Sequence, residues 1–116
     1  MGIPNATHKA ASDAVAALGS YISLHTGAGA GTTGANEASG GTPAYARVQT
    51  TWTSGGTGTN TGSQVTINAP AGTYVEGGIF SAATSGTFVG SAAFSGGNVV
   101  VSGTGAAINV TPSITI

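Results

Sequence analysis

The sequence predicts a mostly β fold, an antiparallel β-sandwich or jelly-roll-like barrel with one short N-terminal helix. Three observations lead there. Beyond residue 20 the apolar residues recur in short runs with a period of two. Gly-rich turns separate those runs. The links at 81–86 and 95–97 are too short for the crossover helix that parallel pairing requires.

Taken in order, the helix covers about 6–18. Asn5 or Thr7 is available as its cap, and Ala10, Ala14 and Leu18 recur at every fourth position. Val15 widens that stripe and Gly19 ends it. A face made mostly of alanine is shallow, suited to close docking on a sheet or on a neighbouring subunit, and an isolated helix of this length is marginal in water.

Residues 20–25 then alternate as a half-buried strand, with Ile22 and Leu24 on one face and Tyr21, Ser23 and His25 on the other. A Gly-rich loop at about 26–43 follows, too long and too poor in apolar residues for a regular element. The strand at 45–52 sets Ala46, Val48 and Trp52 on one face, with Tyr45, Arg47, Gln49 and Thr51 on the other. Further runs at 63–69, 73–80, 87–94, 98–102 and 106–116 bring the expected total to seven or eight strands. Their core comprises Val65, Ile67, Val75, Ile79, Phe88, Phe94, Val99, Val101, Ile108 and Val110. Pro112 makes the last segment, 113–116, an edge strand or an extended tail, because proline cannot donate to a ladder. Its Ile114 and Ile116, with Tyr45 and Trp52, are the candidate interface residues, and the tail could add as a strand to a neighbour. The whole of 1–116 reads as a single domain, with its β part at 20–25 and 45–116.

Charge is nearly absent. Lys9, Asp13, Glu37, Arg47 and Glu76 are the complete set, 4% of 116 residues with a net charge of -1, against about 25% in ordinary soluble domains. A surface with so little self-repulsion associates readily, which points to an assembly partner. Two separated cations do not form the basic clusters that nucleic acids or anionic membranes require. Disorder is excluded by the β-branched and aromatic runs of the second half. With no Cys, neither a disulfide framework nor a redox compartment can be read. The first residues hold no apolar segment of signal-peptide or membrane-span length.

The sequence offers little for catalysis. Asp13, Glu37 and Glu76 lie on three different elements, so no carboxylate pair is set by spacing. His8 and His25 are too few for a metal site, and Glu76 is expected to face solvent. No G-x-S-x-G elbow and no phosphate-binding G-x-x-x-x-G-K-[ST] loop occurs. An enzyme, a cofactor and a metal are therefore not expected. The aromatic residues leave a carbohydrate- or receptor-binding module as a minor alternative. Glu37 and Arg47 flank the Gly40-Gly41 turn, where an ion pair would order the long loop against the sheet.

Several stretches carry a resemblance. Residues 21–27 (YISLHTG), 33–41 (TGANEASGG), 45–47 (YAR) and 78–88 (GIFSAATSGTF), with the Ala-rich helix ahead of them, resemble small structural proteins of tailed bacteriophages of the actinobacteriophage type, often labelled minor tail or tail-fibre proteins. That family commonly has Asp-Pro-Gly where this sequence has Ala28-Gly29-Ala30. The resemblance implies a virion component, made in the bacterial host cytoplasm, whose partners are capsid or tail subunits and copies of itself, with a trimer one expectation. A fibre shaft needs heptads or repeats that the chain lacks. Capsid decoration as a minor capsid protein is therefore favoured over the minor-tail or tail-fibre alternative.

Overall fold

Proline, not a polar side chain, starts the helix. In a computed structural model that describes residues 2–27 and 33–116, α1 spans Asn5–Ala16 with Pro4 at the cap position (φ -69°, ψ 156°). The Pro4 carbonyl accepts the N–H of Thr7 at 3.0 Å and of His8 at 3.2 Å. No side-chain cap bond forms, so neither Asn5 nor Thr7 plays the expected part. The helix also stops short of residue 18. Leu18 N–H turns to the Val15 carbonyl in a tighter final turn, and Gly19 follows because a Cβ there would stand 2.5 Å from the Phe80 carbonyl oxygen.

Eleven strands follow among the described residues: β1 (Tyr21–His25), β2 (Val48–Gln49), β3 (Trp52–Ser54), β4 (Thr59–Gly62), β5 (Val65–Ala69), β6 (Gly72–Tyr74), β7 (Glu76–Phe80), β8 (Phe88–Ala93), β9 (Val99–Val101), β10 (Ala106–Val110) and β11 (Ser113–Thr115). Every pairing is antiparallel. The sheets run β2-β1-β7-β8, β11-β4-β3, β10-β5 and β6-β9, and their apolar faces enclose one sandwich core.

The expected seven or eight strands become eleven because several long runs break where the chain changes sheet. Between β2 and β3 the break falls at Thr50, whose N–H goes to the Ser20 carbonyl at 2.8 Å and whose hydroxyl goes to the Ser63 carbonyl at 2.7 Å. Between β6 and β7 it falls at Val75, whose N–H donates to the His25 carbonyl. Between β10 and β11 it falls at Pro112, whose carbonyl accepts the Gly62 N–H. β4, of sequence TNTG, has no apolar alternation and was not foreseen. The tail is an edge strand rather than a loose extension: β11 pairs with β4 in its own chain on one side, and Ile114 is only 8% exposed.

Ile22, Leu24, Ala38, Val65, Ile67, Ala69, Tyr74 and Val101 form the buried cluster, with Ile79, Phe94, Val99, Ile108 and Val110 packed around it. Each fully buried Ile or Leu contributes about 1.5–3 kcal/mol of transfer free energy. Two members of the expected core lie outside the cluster. Val75 occupies the β6–β7 switch, and Phe88 packs on Phe80 with ring centroids 5.2 Å apart. β1 is not half-buried as its alternation suggests, since Ser23 and His25 are as inaccessible as Leu24. It is an inner strand of its sheet, and residues 35–38 fold back over its end.

The helix docks by its polar side. Ser12 is its one buried residue, while Ala10, Ala14 and Leu18, the stripe expected to be covered, face outward. Asn60 of β4, itself buried, donates to Ser12 Oγ at 2.8 Å and to Asp13 Oδ1 at 3.0 Å. Ser54 of β3 donates to the same Asp13 oxygen at 2.5 Å, Lys9 pairs with Asp13 Oδ2 at 2.6 Å, and His8 Nδ1 lies 2.8 Å from the Ile116 carbonyl. Hydrogen bonds from Lys9, Ser54 and Asn60 hold the Asp13 carboxyl far below the usual carboxylate range. Asn60→Ala is expected to cost about 1–3 kcal/mol in denaturant unfolding, the penalty for stripping a buried polar seam. Amide exchange in residues 5–16 should accelerate more than in β5 or β10. An equal change across both regions would show that the seam does not hold the helix.

Candidate functional site

Arg47, on the segment leading into β2, collects the groups on which the sequence analysis had placed weight. Its Nε donates to Glu37 Oε2 and its Nη2 to Glu37 Oε1, both at 2.8 Å, a two-pronged pair that matches the planar guanidinium to the carboxylate. Nη1 donates to the Ala82 carbonyl at 3.0 Å and to the Ser85 carbonyl at 2.7 Å. Its Cζ lies 3.5 Å from the centroid of the Phe80 ring, so the cation also rests on an aromatic face. Tyr45 donates to Glu37 Oε2 at 2.7 Å, and its oxygen accepts the Leu24 N–H at 3.2 Å.

Backbone brings Glu37 within reach. It forms an isolated bridge with His25, flanked by Thr26 N–H to the Asn36 carbonyl at 2.8 Å and Ala38 N–H to the Leu24 carbonyl at 2.9 Å. The loop therefore leaves β1 and returns to it. Asn36 takes a positive φ of 61° in the returning turn, a conformation that asparagine tolerates better than most residues. Ala28-Gly29-Ala30, where the chain departs from its resemblance, lies outside the described residues. On the far side Arg47 holds the turn between β7 and β8, where Ser85 also has a positive φ.

The electrostatics follow from this geometry. Burial alone would raise the Glu37 carboxyl, but hydrogen bonds from Arg47 and Tyr45 outweigh it and hold the group below the ordinary glutamate range. The Glu37 hydrogen bonds raise Arg47. Burial, followed by donation to Glu37, pushes the Tyr45 hydroxyl well above its usual value. The Arg47 side chain is 9% exposed and that of Glu37 22%, so the pair is far better shielded than Lys9–Asp13.

Beneath this pair lies a Ser–His contact. Ser23 Oγ stands 2.8 Å from His25 Nε2, a separation suited to a nucleophile and its base. His25 Nδ1 faces the Ala35 carbonyl at 2.8 Å and so donates to it. In the neutral ring Nε2 then accepts the Ser23 hydroxyl proton. Both side chains are fully buried, and a Cβ at Gly78 would stand 2.5 Å from Ser23 Oγ and 2.6 Å from His25 Nε2. A substrate carbonyl has no approach, and the contact knits strand to loop. His25 stacks on Phe80 at 6.2 Å, joining it to the Arg47 cluster. Among the described residues, no three His, Asp or Glu side chains converge as metal ligands would.

The other singled-out residues lie elsewhere. Trp52 packs against the core and donates Nε1–H to the Gly19 carbonyl at 2.9 Å. Tyr45 likewise packs against the core. Ile116, 48% exposed, is the one member of the interface set with an open side chain. Glu76 is half-buried and accepts Ser91 Oγ–H at 2.9 Å, where a solvent-facing group was expected. A groove of about 750 Å³ opens between β7–β8 and β10–β11, lined by Ile79, Val89, Phe94, Ile108 and Val110 and by no charged side chain. Sequence reasoning missed Phe80, Ala82 and Ser85 as partners of Arg47, although the stretch that contains them carried the resemblance. Partners 33 to 38 residues away leave no spacing signal.

A family model described as "Podophage GP4 fiber I protein gp80" matches residues 5–113. No curated protein and no solved structure matches the chain.

Arg47→Ala should destabilise the protein by about 2–4 kcal/mol, near the lower part of the range for breaking a shielded pair, since Glu37 stays partly wet. Arg47→Lys should recover little, because an ammonium cannot make the fork. The Glu37 carboxyl is lowered on folding, so its contribution is complete above the ordinary glutamate range and is lost as pH falls through the folded value. Glu37→Gln should therefore flatten the acid limb of a stability-against-pH curve. An unchanged slope would show that Glu37 carries none of it.

Proposed function

The chain belongs to the podophage GP4 fiber I protein gp80 family, bacteriophage structural proteins, and from that premise we propose that it is a non-enzymatic tail-fibre component held in the virion by packing against other subunits. The observation that carries this reading is the match itself, which covers nearly the whole of the chain and bears a fibre description. It moves the preference from capsid decoration, favoured on the sequence alone, to the tail-fibre alternative, and gives no support to the actinobacteriophage label. The missing heptads argue only against a shaft, and a small β domain suits a segment or joint of a fibre.

The chemistry is consistent with packing. The Ser23–His25 contact is sealed, the Glu37 carboxylate is taken up by Arg47 and Tyr45, and the groove between β7–β8 and β10–β11 is lined by no charged side chain. Neutral walls without ionic desolvation costs suit permanent contact between subunits. Within this reading, the Glu37–Arg47 pair orders the loop at 33–43 and the β7–β8 turn, fixing the end of the domain that carries both.

Quantitative mass spectrometry of purified particles tests the location. A fibre component should be present at a small fraction of the major capsid protein, and antibody labelling should mark the tail. Near-parity with the major capsid protein, or absence from particles, would overturn the reading.

A further inference from the structure

We propose that the groove between β7–β8 and β10–β11 is an acceptor site for one extended strand donated by a neighbouring virion subunit. This deepens the packing reading above, on which it rests for the source of the donor, by naming a surface and what fills it. The layers of the sandwich meet along one side only. There β2 packs on β5, whereas on the other side β8 makes no contact of that extent with β10 or β11. The groove is the seam left between them.

Both walls of the seam are open strand edges. β8 pairs with β7 alone, and β10 and β11 pair only with β5 and β4. β8 is the longest strand among the described residues, six residues from Phe88 to Ala93, and its sequence FVGSAA holds none of the charged residues or prolines that guard natural edges. The N–H and C=O groups of such an edge lie in the plane of the sheet, where another extended backbone meets them in register.

The floor explains why the seam stays open. Opposite residues of an antiparallel ladder share a face, so Gly90 and Ala92 point to the same side as their partners Ile79 and Gly77, toward the groove. Apart from Ile79 these positions carry no more than a methyl group, too little bulk to fill the space before Ile108 and Val110. A Cβ at Gly90 would meet nothing within 4 Å.

Size and chemistry select the occupant. Five residues of strand, at about 3.3 Å per residue, about 4.8 Å between neighbours and about 10 Å between sheets, occupy about 800 Å³. The groove holds about 750 Å³, so it has room for one strand. Walls without charge accept an uncharged segment, and Val, Ile or Leu at alternate positions supplies the missing bulk. A second copy is not the donor, because its apolar strands among the described residues are already held in their own ladders.

Ile116 lines the groove, so a strand joined to the C-terminus through a flexible Gly-Ser linker is held beside it at high effective concentration. The full chain carrying Thr-Val-Thr-Val-Thr-Val on such a linker is compared with the unextended chain and with a Thr-Lys-Thr-Lys-Thr-Lys extension. In dilute protein the Val extension should raise the melting temperature by about 4–8 °C and slow amide exchange in 88–93 about 5-fold. The Lys extension should do neither. Gly90→Glu reaches open space in the unextended chain, so it should leave that melt unchanged and abolish the rise by setting a charge on the groove floor. Val100→Glu, at an exposed strand position outside the groove, should keep the rise. No rise with the Val extension, an equal rise with the Lys one, or a rise that survives Gly90→Glu would overturn the proposal. So would self-association of the unextended chain that Gly90→Glu abolishes, which would make a second copy the occupant. Virion copy number does not enter these melts, so they can fail while the fibre reading stands, and the reverse.

Discussion

The guanidinium of Arg47 is the joint on which one end of the molecule depends. It sits between two irregular segments, the returning loop at 33–43 and the β7–β8 turn, and gives each of them two hydrogen bonds. Neither segment has a ladder of its own. Besides backbone bonds such as Ala38 N–H to the Leu24 carbonyl and Ser81 N–H to the Thr87 carbonyl, both segments meet one planar cation: a carboxylate in front, two carbonyls to the side, and the Phe80 ring against its face. In a chain with two Lys or Arg residues, that one of them is almost wholly enclosed shows where charge is retained. An enclosed cation is tolerable only when its partner is also enclosed and hydrogen-bonded, which is the part that Glu37 and Tyr45 play.

At the other end of the fold the same problem is solved without a buried ion pair. Helix α1 is held by hydroxyl, amide and carboxylate groups, and Ala6, Ala10 and Ala14 face away from the sheet while Ala11, Val15 and Ala16 are half-buried. Such an arrangement is uncommon for a surface helix, whose apolar stripe normally faces the core. It can persist because each buried polar side-chain atom among the described residues has a partner, so the seam avoids the desolvation penalty of an unmade hydrogen bond. The consequence is an apolar surface on the outside, and a protein of this composition has little charge with which to discourage its contact with other subunits.

These two features bear on function together. A phage structural protein must present reproducible surfaces to its neighbours. Here Arg47 joins the two segments at the loop end through hydrogen bonds, while the helix end offers a face that its own sheet does not cover. The Ser23–His25 contact illustrates how little spacing alone says about chemistry. Its distance suits catalysis, yet its burial and the backbone of Gly78 make it a structural tie.

The sequence alone determined the fold class, the single early helix, the antiparallel order and the near absence of charge, because periodicity, short links and composition are local properties. It also brought Glu37 and Arg47 together, since both flank one turn. Tertiary structure decided the rest. Runs such as 45–52 and 106–116 read as continuous strands, and they are divided where the backbone turns to another partner, the Thr50 N–H to the Ser20 carbonyl and the Pro112 carbonyl to the Gly62 N–H. The alanine stripe was visible in the sequence, but its direction was not. That was set by Asn60 and Ser54, more than forty residues away, whose hydrogen bonds to Ser12 and Asp13 turn the polar side of the helix inward. A pattern fixes which residues share a face; which face is buried depends on the partners that the rest of the chain supplies.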